Sequence, residues 1–388
     1  MYLTKEEEKM LSGEYGPALR KAMELLVGLG DVFGAEKMIA IESTQISGAS
    51  YNNIGDAGME FLEELAEIGA KAKVKSTINP CGMDLDKWRE MGINEEYYEK
   101  QMRIIRAFKR MGIEISCTCT PYLVGNLPKK GSHIAWSESS AVVFANSVIG
   151  AKTNREGGPS ALAAAIAGRT PYYGLHIDEN RVPNIIVKLE FKPRTAFEFS
   201  LLGYTIGRIA PSGIPYFKNL GTSDVDRLKI MGAALAASGG IAMFYLNAKN
   251  LDKAEKISID WRELNQTKEN LSSDGDPDLF CIGCPHCSPQ EIKELARAIK
   301  GRRVRRGCGF WIWTSRGVYE KCKEYVKIIE GAGCKVFKDT CMVVYPLQLS
   351  GYSHMACNSC KAVHYVPSTS GMKASILELN SILERGLE

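Results

Sequence analysis

The feature that most constrains how this chain can fold is the repeated alternation of strand-like and helix-like segments. Short apolar runs at 38–42, 73–78 and 187–191 are each followed by a loop and then by a segment with helical periodicity. Such alternation is typical of α/β proteins with largely parallel sheets. With 388 residues, of which 45% are hydrophobic and 24% charged, the chain can build two or three domains. The sequence therefore predicts a multi-domain α/β fold with largely parallel sheets flanked by helices, and it excludes disordered, collagen-like and coiled-coil proteins.

One very polar stretch, 265–278, is the best candidate for a linker. It separates residues 1–265, which we expect to form an α/β region of two subdomains, from a C-terminal α/β region at 279–388. The apolar run 141–149 is compatible with either a strand or a buried helix. Beyond these units we expect two strands and a terminal helix, at 113–118, 241–246 and about 372–387.

The N-terminal segment and the charge balance indicate where the protein works. The first residues lack the basic and apolar regions of a signal peptide, and the longest weakly polar stretch, 232–246, is too short to cross a bilayer. We therefore expect a cytoplasmic protein, in which twelve cysteines are thiols or metal ligands rather than disulfides. Lys+Arg 49 against Asp+Glu 45 leaves a net charge of +4, which indicates neither a nucleic-acid nor a membrane partner.

The sharpest cysteine pattern is Cys281-x2-Cys284-x2-Cys287. Thiolates at this spacing can converge on one iron–sulfur or zinc centre. A bacterial ferredoxin would place a fourth cysteine at the position of Glu291, so a simple electron-transfer ferredoxin is disfavoured. A zinc site with His286 or another cysteine as fourth ligand remains an alternative.

Other cysteines lie far from this motif in the sequence. Cys117 and Cys119 end an expected strand, Cys341 has a similar setting, and Cys357-x2-Cys360 is a weaker pattern whose flanks do not clearly supply the strand and helix of a thioredoxin-like motif. Such dispersal favours a cluster assembled by several domains over a compact zinc finger. Four further cysteines are interpreted as ordinary thiols, namely Cys81, Cys308, Cys322 and Cys334.

Many polar and small residues fall at the predicted carboxyl ends of strands, where α/β proteins bind ligands. A glycine-rich turn at 154–160 precedes an Ala-rich helix and could hold an anion, with Arg155 beside it. It has neither the Walker lysine nor the GxGxxG spacing, so it is not a nucleotide fingerprint. No Ser-His-Asp order and no HExxH motif is present. The basic run 302–306 is interpreted as a solvated face.

Taken together, several segments resemble aconitase X, a branch of the aconitase superfamily, and specifically its archaeal two-subunit type. The similar segments are CTCTPYLVGNLP, the block from Gly131 to Arg181, IGCPHCS, DTCMVVYPL and NSCKAVHY. The likeness extends over nearly the whole chain, from about residue 50 to about residue 365. It implies an aconitase-like body whose small swivelling domain lies on a separate subunit, in a heterodimer.

The resemblance also implies an activity and a cofactor. The activity is dehydration of (R)-5-phosphomevalonate to trans-anhydromevalonate 5-phosphate in the archaeal mevalonate pathway. The cofactor is a [4Fe-4S] cluster on three cysteines, which can be isolated as [3Fe-4S] and whose open iron acts as a Lewis acid. The implied ligands are Cys119, Cys284 and Cys341, with Cys287 and Cys360 as substitutes. The implied substrate residues are Gly48, Ala49, Ser50, Asn79, Pro80, Glu138, Ser139 and Lys361, with Arg155 as a weaker candidate; the resemblance does not identify the general base.

Two other functions fit the sequence. The same fold and cluster could act on cis-3-hydroxy-L-proline, as in the bacterial one-chain type. A non-enzymatic scaffold stabilised by zinc or a cluster, with 302–306 as its partner surface, is the third possibility.

Overall fold

The computed structural model describes residues 1–248 and 251–388, and it confirms the α/β class with parallel sheets flanked by helices. The sheets occupy three successive sections of the chain, each with its own helices. Within the described residues, no helix is long and apolar enough to cross a membrane.

The first section contains a three-stranded parallel sheet in the order β3-β2-β4 and an antiparallel pair, β1 with β5. Its helix α1 begins with a capping box in which Thr4 and Glu7 satisfy each other's backbone N–H groups. The elements are α1 (Lys5–Ser12), α2 (Pro17–Val32), β1 (Met38–Ala40), β2 (Ser43–Ile46), α3 (Tyr51–Glu67), β3 (Lys75–Ile78), α4 (Glu95–Arg110), β4 (Ala135–Trp136), α5 (Ser139–Phe144), α6 (Gly158–Ala167) and β5 (Arg169–Pro171).

The second section is a smaller parallel sheet in the order β7-β6-β8, covered by three helices. Its apolar residues belong to the same hydrophobic core as part of the third section, so the two sections share one interior. The elements are β6 (Ile185–Leu189), α7 (Ala196–Ile209), β7 (Pro215–Lys218), α8 (Val225–Gly239), β8 (Glu255–Ile259) and α9 (Trp261–Asn270).

The third section is a five-stranded parallel sheet in the order β11-β10-β9-β12-β13. The chain moves outward from β9 in one direction and then returns to β12 on its other side. This reversal opens a crevice at the carboxyl ends of β9 and β12, where doubly wound folds bind ligands. The elements are β9 (Leu279–Cys287), α10 (Pro289–Ile299), β10 (Gly309–Thr314), α11 (Arg316–Lys321), α12 (Lys323–Gly331), β11 (Lys335–Phe337), β12 (His354–Cys357), α13 (Cys360–Ser370), β13 (Lys373–Ile376) and α14 (Leu379–Gly386).

Two predicted strands are absent from the described structure. Segment 113–118 makes a single bridge, between Glu114 and Thr77, and segment 241–246 makes one between Tyr245 and Tyr216. The second run is apolar because Ile241, Met243 and Phe244 are buried in the core rather than paired in a sheet. Apolar character alone therefore does not distinguish packed coil from strand.

Three other segments had an open or different expectation from the sequence. The run 141–149 is helical, with α5 continuing into a π-helical turn at Ala145–Ile149. The polar stretch 265–278, expected to be a linker, begins with the last turn and a half of α9, which ends at Asn270. The expected terminal helix is instead β13 followed by α14, because Ala374 and Ile376 alternate into the core as β13 pairs with β12.

A candidate iron–sulfur and anion-binding site

The candidate substrate residues of the first section gather at one edge of its sheet. β2, β3 and β4 are parallel, so the loops that follow them, at 47–50, 79–81 and 137–138, leave the sheet on the same side. Asn79 N–H donates to Ile46 O at 2.8 Å, and Ser47 N–H donates to Ser137 Oγ at 2.6 Å. The expected clustering of strand ends is therefore present.

The loop at 47–50 carries Gly48, Ala49 and Ser50 and is closely packed. Gly48 has a φ of +85°, which favours glycine. A Cβ at Gly158, at the start of α6, would lie 2.6 Å from Ser47 O, so this glycine lets the α6 N-terminus approach the loop. Ser50 donates from Oγ to Val344 O at 3.4 Å, which ties the loop to the segment after Cys341.

Glu138, the residue before α5, is the charged centre of this edge. Its carboxylate accepts hydrogen bonds from the Lys361 ammonium, from Asn79 Nδ2 at 2.7 Å and from Ser140 Oγ at 3.1 Å. Burial opposes ionisation of Glu138, but Lys361 and the two neutral donors outweigh it and lower the pKa of Glu138 to about 2. Burial likewise opposes the charge of Lys361, and Glu138 outweighs it, so the pKa of Lys361 is raised. The pair is ionised at neutral pH.

Lys361 reaches Glu138 from the third section. It lies in the first turn of α13, which begins at Cys360, immediately beyond the crevice between β9 and β12. Cys284 is on the other side of this crevice, in the second half of β9. There Gly283 has a φ of +109° and a Cβ on it would lie 2.1 Å from Trp313 O, so only glycine fits. The peptide bond from Cys284 to Pro285 is cis.

Three cysteines from distant parts of the chain meet at this crevice. Each thiol lies close enough to charged neighbours for them to act on its pKa: Cys341 raises the pKa of Cys119, and Cys284 raises that of Cys341. Glu138 raises, and Lys361 lowers, the pKa of both Cys119 and Cys284. The relative exposures of Cys119, Cys284 and Cys341 are 6%, 6% and 8%, whereas Cys281, Cys287, Cys357 and Cys360 are at 0%. Burial raises the pKa of all three thiols, that of Cys341 to about 12, so without a metal centre they stay protonated.

The two substitute cysteines are fully buried and have different surroundings. Cys287 packs in the hydrophobic cluster of the third section, next to Lys229 and Glu291, although it is also close enough to Cys119 for that thiol to raise its pKa. Cys360 turns towards α7, where its backbone N–H donates to Ser200 Oγ at 2.9 Å. The pair 357–360 does span a strand end and a helix start, contrary to what its flanks suggested, because β12 ends at Cys357 and α13 begins at Cys360.

The zinc interpretation of the Cys281–Cys287 motif does not fit this geometry. His286 already uses both ring nitrogens in hydrogen bonds, to Thr118 Oγ1 at 2.9 Å and to Thr340 O at 2.8 Å. Across residues 1–248 and 251–388, no group of three or more His, Cys, Asp or Glu side chains could hold a single metal ion. The ligands of an iron–sulfur cluster bind different irons and lie further apart, so this finding bears on zinc and not on a cluster.

The donor set at the crevice fits an iron–sulfur cluster chemically. Cys119, Cys284 and Cys341 all lie close enough to Lys361 for its charge to act on their pKa, and soft thiolates are the ligands that such clusters prefer. The hydroxyl of Thr340, the residue before Cys341, is buried with no hydrogen-bond partner among the described residues. A buried polar atom of this kind is expected beside a group that the polypeptide itself does not supply.

Three residues of the site had no sequence signal. Gln45, fully buried in β2, donates from Nε2 to Asn79 Oδ1 and to Thr118 O, each at 3.2 Å, and accepts the Glu138 N–H at 2.9 Å. Gln101 of α4 donates to Ala49 O at 2.7 Å and accepts from Gly82 N–H at 2.9 Å. Lys229 of α8 donates to His286 O at 3.2 Å. They hold the loops in place.

Two arginines lie outside this arrangement. Arg155, the weaker substrate candidate, is exposed, ahead of α6, and a Cβ on Gly240 would lie 3.4 Å from its guanidinium. Arg316 is paired with Asp339 and with Asp86 at 2.8 Å.

Comparison with known proteins covers nearly the whole chain. Three family models match in succession, described as the aconitase X first domain at residues 1–179, second domain at 183–269 and third domain at 277–388. The chain is similar to the phosphomevalonate dehydratase large subunit of Methanocaldococcus jannaschii, with 55% identity over 95% of this chain and 96% of that protein. The same protein of Methanothermobacter thermautotrophicus is 47% identical over 96% of each chain.

A solved structure and a more distant relative complete the comparison. The holo-form of aconitase X from Thermococcus kodakaraensis superposes with a TM-score of 0.92 at 44% identity, covering 100% of both chains. The cis-3-hydroxy-L-proline dehydratase of Pseudomonas aeruginosa is 32% identical over 97% of this chain but only 68% of that longer protein.

Proposed function

The chain belongs to the aconitase X family, and on that premise we propose that it is the large, catalytic subunit of an enzyme that dehydrates phosphomevalonate. Relatives at 45–55% identity that match it over almost their full length carry this activity in their names. The hydroxyproline enzymes are about 32% identical and a third of their length is unmatched, which disfavours that substrate. The chain is a dehydratase, a hydro-lyase, so the non-enzymatic scaffold is wrong.

The reaction we propose is conversion of (R)-5-phosphomevalonate to trans-anhydromevalonate 5-phosphate, a step of the archaeal mevalonate pathway. The C–O bond of the tertiary hydroxyl and the C–H bond next to the carboxylate break, a C=C bond forms, and one molecule of water leaves. The observation that supports this chemistry best is the buried Glu138–Lys361 ion pair beside Cys119 and Cys284. It sets a fixed cation next to thiols that can carry a metal centre.

The cofactor we propose is a [4Fe-4S] cluster held by Cys119, Cys284 and Cys341, which can lose one iron to become [3Fe-4S]. When bound, it supplies a Lewis acid for the departing hydroxyl oxygen. Three thiol ligands leave one iron without a protein ligand. The slight exposure of these three thiols, where Cys281, Cys287, Cys357 and Cys360 have none, supports this assignment, and their protons would leave as the metal binds.

The remaining residues are proposed to bind and orient the substrate. Lys361 Nζ supplies a positive charge for an anionic group, and Glu138 holds that ammonium in place. Asn79 and Ser139 supply further hydrogen-bonding groups at the same edge. The loops around them are formed by Gly48, Ala49, Ser50 and Pro80. Arg155 stays the weaker candidate, because it is exposed and lies outside this arrangement.

We also propose that a separate small subunit, present in the cytoplasm with this chain, completes a heterodimer. The relatives named above are called large subunits, which implies a smaller partner for them. The twelve free cysteines suit a reducing compartment.

The test is anaerobic co-purification with the candidate small subunit, followed by a dehydration assay on phosphomevalonate and, in parallel, on cis-3-hydroxy-L-proline. Turnover of phosphomevalonate with iron and sulfide bound is expected. Turnover of hydroxyproline alone would overturn the substrate assignment, and a preparation that holds zinc without iron would overturn the cofactor.

The ligand assignment has a matched control on the same strand. Cys284→Ser is expected to abolish iron retention, while Cys281→Ser, three residues earlier, fully buried and paired with Cys357 inside the sheet, is expected to keep it. Iron and sulfide analysis with the visible absorption of the cluster measures both. Equal iron retention in the two variants would contradict the assignment of Cys284.

A further inference from the structure

One buried side chain, the imidazole of His286, joins the three chain segments that carry the proposed cluster ligands. We infer that His286 is a positioning residue, which fixes the mutual placement of Cys119, Cys284 and Cys341 before a cluster binds. This inference rests on the proposed function for the identity of the ligands. It adds a role for a residue that the cysteine motif suggested as a metal ligand.

The hydrogen bonds fix the state of the ring. Nε2 lies 2.8 Å from Thr340 O, and a carbonyl oxygen can only accept, so Nε2 carries the proton. Nδ1, at 2.9 Å from Thr118 Oγ1, is then the acceptor, and the Thr118 hydroxyl donates to it. The hydroxyl is aligned in turn because it accepts the Thr120 N–H at 3.1 Å. One tautomer and one ring orientation satisfy all of these contacts.

The partners of the ring are the immediate neighbours of the ligands. Thr118 precedes Cys119, Thr340 precedes Cys341, and His286 itself follows Cys284 by two residues. In addition, the His286 backbone N–H points at Cys119 Sγ at 3.3 Å. A shift of the imidazole would therefore change the spacing of the three sulfurs together, which distinguishes it from a contact that supports a single ligand.

The imidazole is itself held firmly. It is fully buried, and Lys229 Nζ donates to the backbone carbonyl oxygen of His286 at 3.2 Å. On the far side, Gln45 Nε2 donates to Thr118 O at 3.2 Å, so the same network reaches the substrate residues Asn79 and Glu138. Partners of this kind around metal ligands typically change metal affinity by about 10–100-fold when removed. The N–H aimed at Cys119 Sγ would also stabilise that sulfur as a thiolate.

Two substitutions divide the role of the ring. His286→Gln is designed to keep a donor towards Thr340 O and to lose the acceptor for Thr118, and His286→Asn is designed to do the reverse. His286→Ala removes both. The matched control is His354→Ala, because His354 is also buried, at 3% exposure, and its Nε2 hydrogen-bonds Ser375 Oγ at 2.8 Å at the opposite end of β12 from Cys357.

The experiment uses the heterodimer with the small subunit, reconstituted with iron and sulfide without oxygen. The rate of iron loss in air and the EPR spectrum of the three-iron form are recorded for each variant. We expect His286→Ala to lose iron about 10-fold faster or more, with an altered EPR spectrum, and His286→Gln and His286→Asn to be intermediate. His354→Ala should stay close to the unsubstituted protein. Equal rates and spectra for His286→Ala and His354→Ala would overturn the inference.

A second measurement separates this inference from the proposed cofactor. In the metal-free protein, thiol alkylation followed by mass spectrometry reports how firmly each cysteine is held. Faster labelling of Cys119, Cys284 and Cys341 in all three His286 variants, with the buried Cys334 unchanged, supports the positioning role even if the unsubstituted protein proves to hold no cluster. Labelling that matches His354→Ala at those three sites would overturn it. Absence of iron from the unsubstituted heterodimer counts against the proposed cofactor alone.

Discussion

Two buried lysines, Lys229 and Lys361, lie close to the proposed cluster ligands and yet have different surroundings. An ammonium has three N–H donors. Lys229 directs its donors to three acceptors, Glu291, Asp226 at 3.0 Å and His286 O at 3.2 Å. Lys361 has two acceptors among the described residues, Glu138 and Ser140 Oγ, the latter at 3.5 Å.

The difference indicates different tasks. Lys229 lies within α8 and donates to carboxylates from the start of α8 and of α10 and to a backbone carbonyl, so its hydrogen bonds are complete within the protein. Lys361 lies in the first turn of α13 at the edge of the crevice, where one N–H remains available for an anionic ligand. A buried lysine whose hydrogen bonds are complete supports structure, and one whose hydrogen bonds are incomplete is a candidate for binding substrate.

Replacing Lys361 should give the largest effect, and it should be on activity. Lys361→Met removes the cation next to Cys119 and Cys284, so we expect kcat/KM to fall by about 10²–10³-fold or more. The dehydration assay with the small subunit measures this. A second variant, Lys361→Met with Glu138→Gln, removes the unpaired buried carboxylate and should recover stability without recovering activity. Recovery of activity in the double variant would mean that the lysine serves only to neutralise Glu138.

Replacing Lys229 should instead act on stability. Lys229→Met leaves the carboxylates of Asp226 and Glu291 without their cation, which for buried pairs costs about 3–5 kcal/mol of unfolding free energy. Denaturant unfolding measures it, with the exposed Lys300→Met as control. If Lys229→Met were to lose activity while its unfolding free energy stayed at the level of the control, the contrast between the two lysines would be wrong.

The carboxylates of the two ion pairs should give opposite pH dependences. Burial by itself would raise the pKa of Glu138, but Lys361 together with the neutral donors Asn79 and Ser140 lowers it from the ordinary 4.5 to about 2. Its stabilisation is therefore present above pH 4.5 and is lost as the pH falls towards 2. Burial raises the pKa of Glu291 despite Lys229, so its contribution is greatest at low pH and declines as the pH rises through that raised pKa.

Unfolding free energies across a pH series test this contrast. Glu138→Gln should remove a rise in stability with pH between about 2 and 4.5, and Glu291→Gln should remove a fall above 4.5. Each change in slope is at most about 1.4 kcal/mol per pH unit. Changes of the same sign in both variants would contradict the assignment.

The smallest expected effect concerns the serine beside each pair. Ser140 donates to Glu138 at 3.1 Å, and Ser288 donates to Asp226 at 2.7 Å and also caps α10. Ser140→Ala should cost about 1 kcal/mol, and Ser288→Ala up to about 2 kcal/mol, because the second also loses a helix cap. Thermal and denaturant unfolding measure the loss of stability in each variant. A larger loss in Ser140→Ala than in Ser288→Ala would contradict the prediction.

What the sequence predicted well is local. The loops at 47–50 and 79–81 could be placed together because each follows a predicted strand, and strand ends of a parallel sheet share an edge. The loop at 137–138 could not, because the strand before it, β4, has only two residues and leaves no sequence pattern. The start of α10 depends on a similarly local pattern, because its capping residues Ser288 and Glu291 are only three positions apart. The assignment of individual ligand and substrate residues depended on the family resemblance and remains a prediction.

What the sequence could not predict depends on contacts between distant residues. Gln45 is one polar residue in a short strand, and its partners Asn79 and Thr118 are 34 and 73 residues away. The cysteine motif makes His286 only one alternative for a zinc ligand, whereas its ring is hydrogen-bonded to Thr118, 168 residues away, and to Thr340, 54 residues away. The strands expected at 113–118 and 241–246 are coil, because apolar residues can be buried without pairing.

The contact between Cys119 and the backbone of His286 has a consequence for biosynthesis. The two residues are 167 positions apart in the chain, so at the usual speed of translation Cys119 waits roughly 10–30 s for its partner to be made. During that interval the segments that carry Cys284 and Cys341 are not yet made, so the crevice beside Cys119 is incomplete. Binding of the proposed cluster to Cys119, Cys284 and Cys341 would therefore have to follow synthesis of the third section.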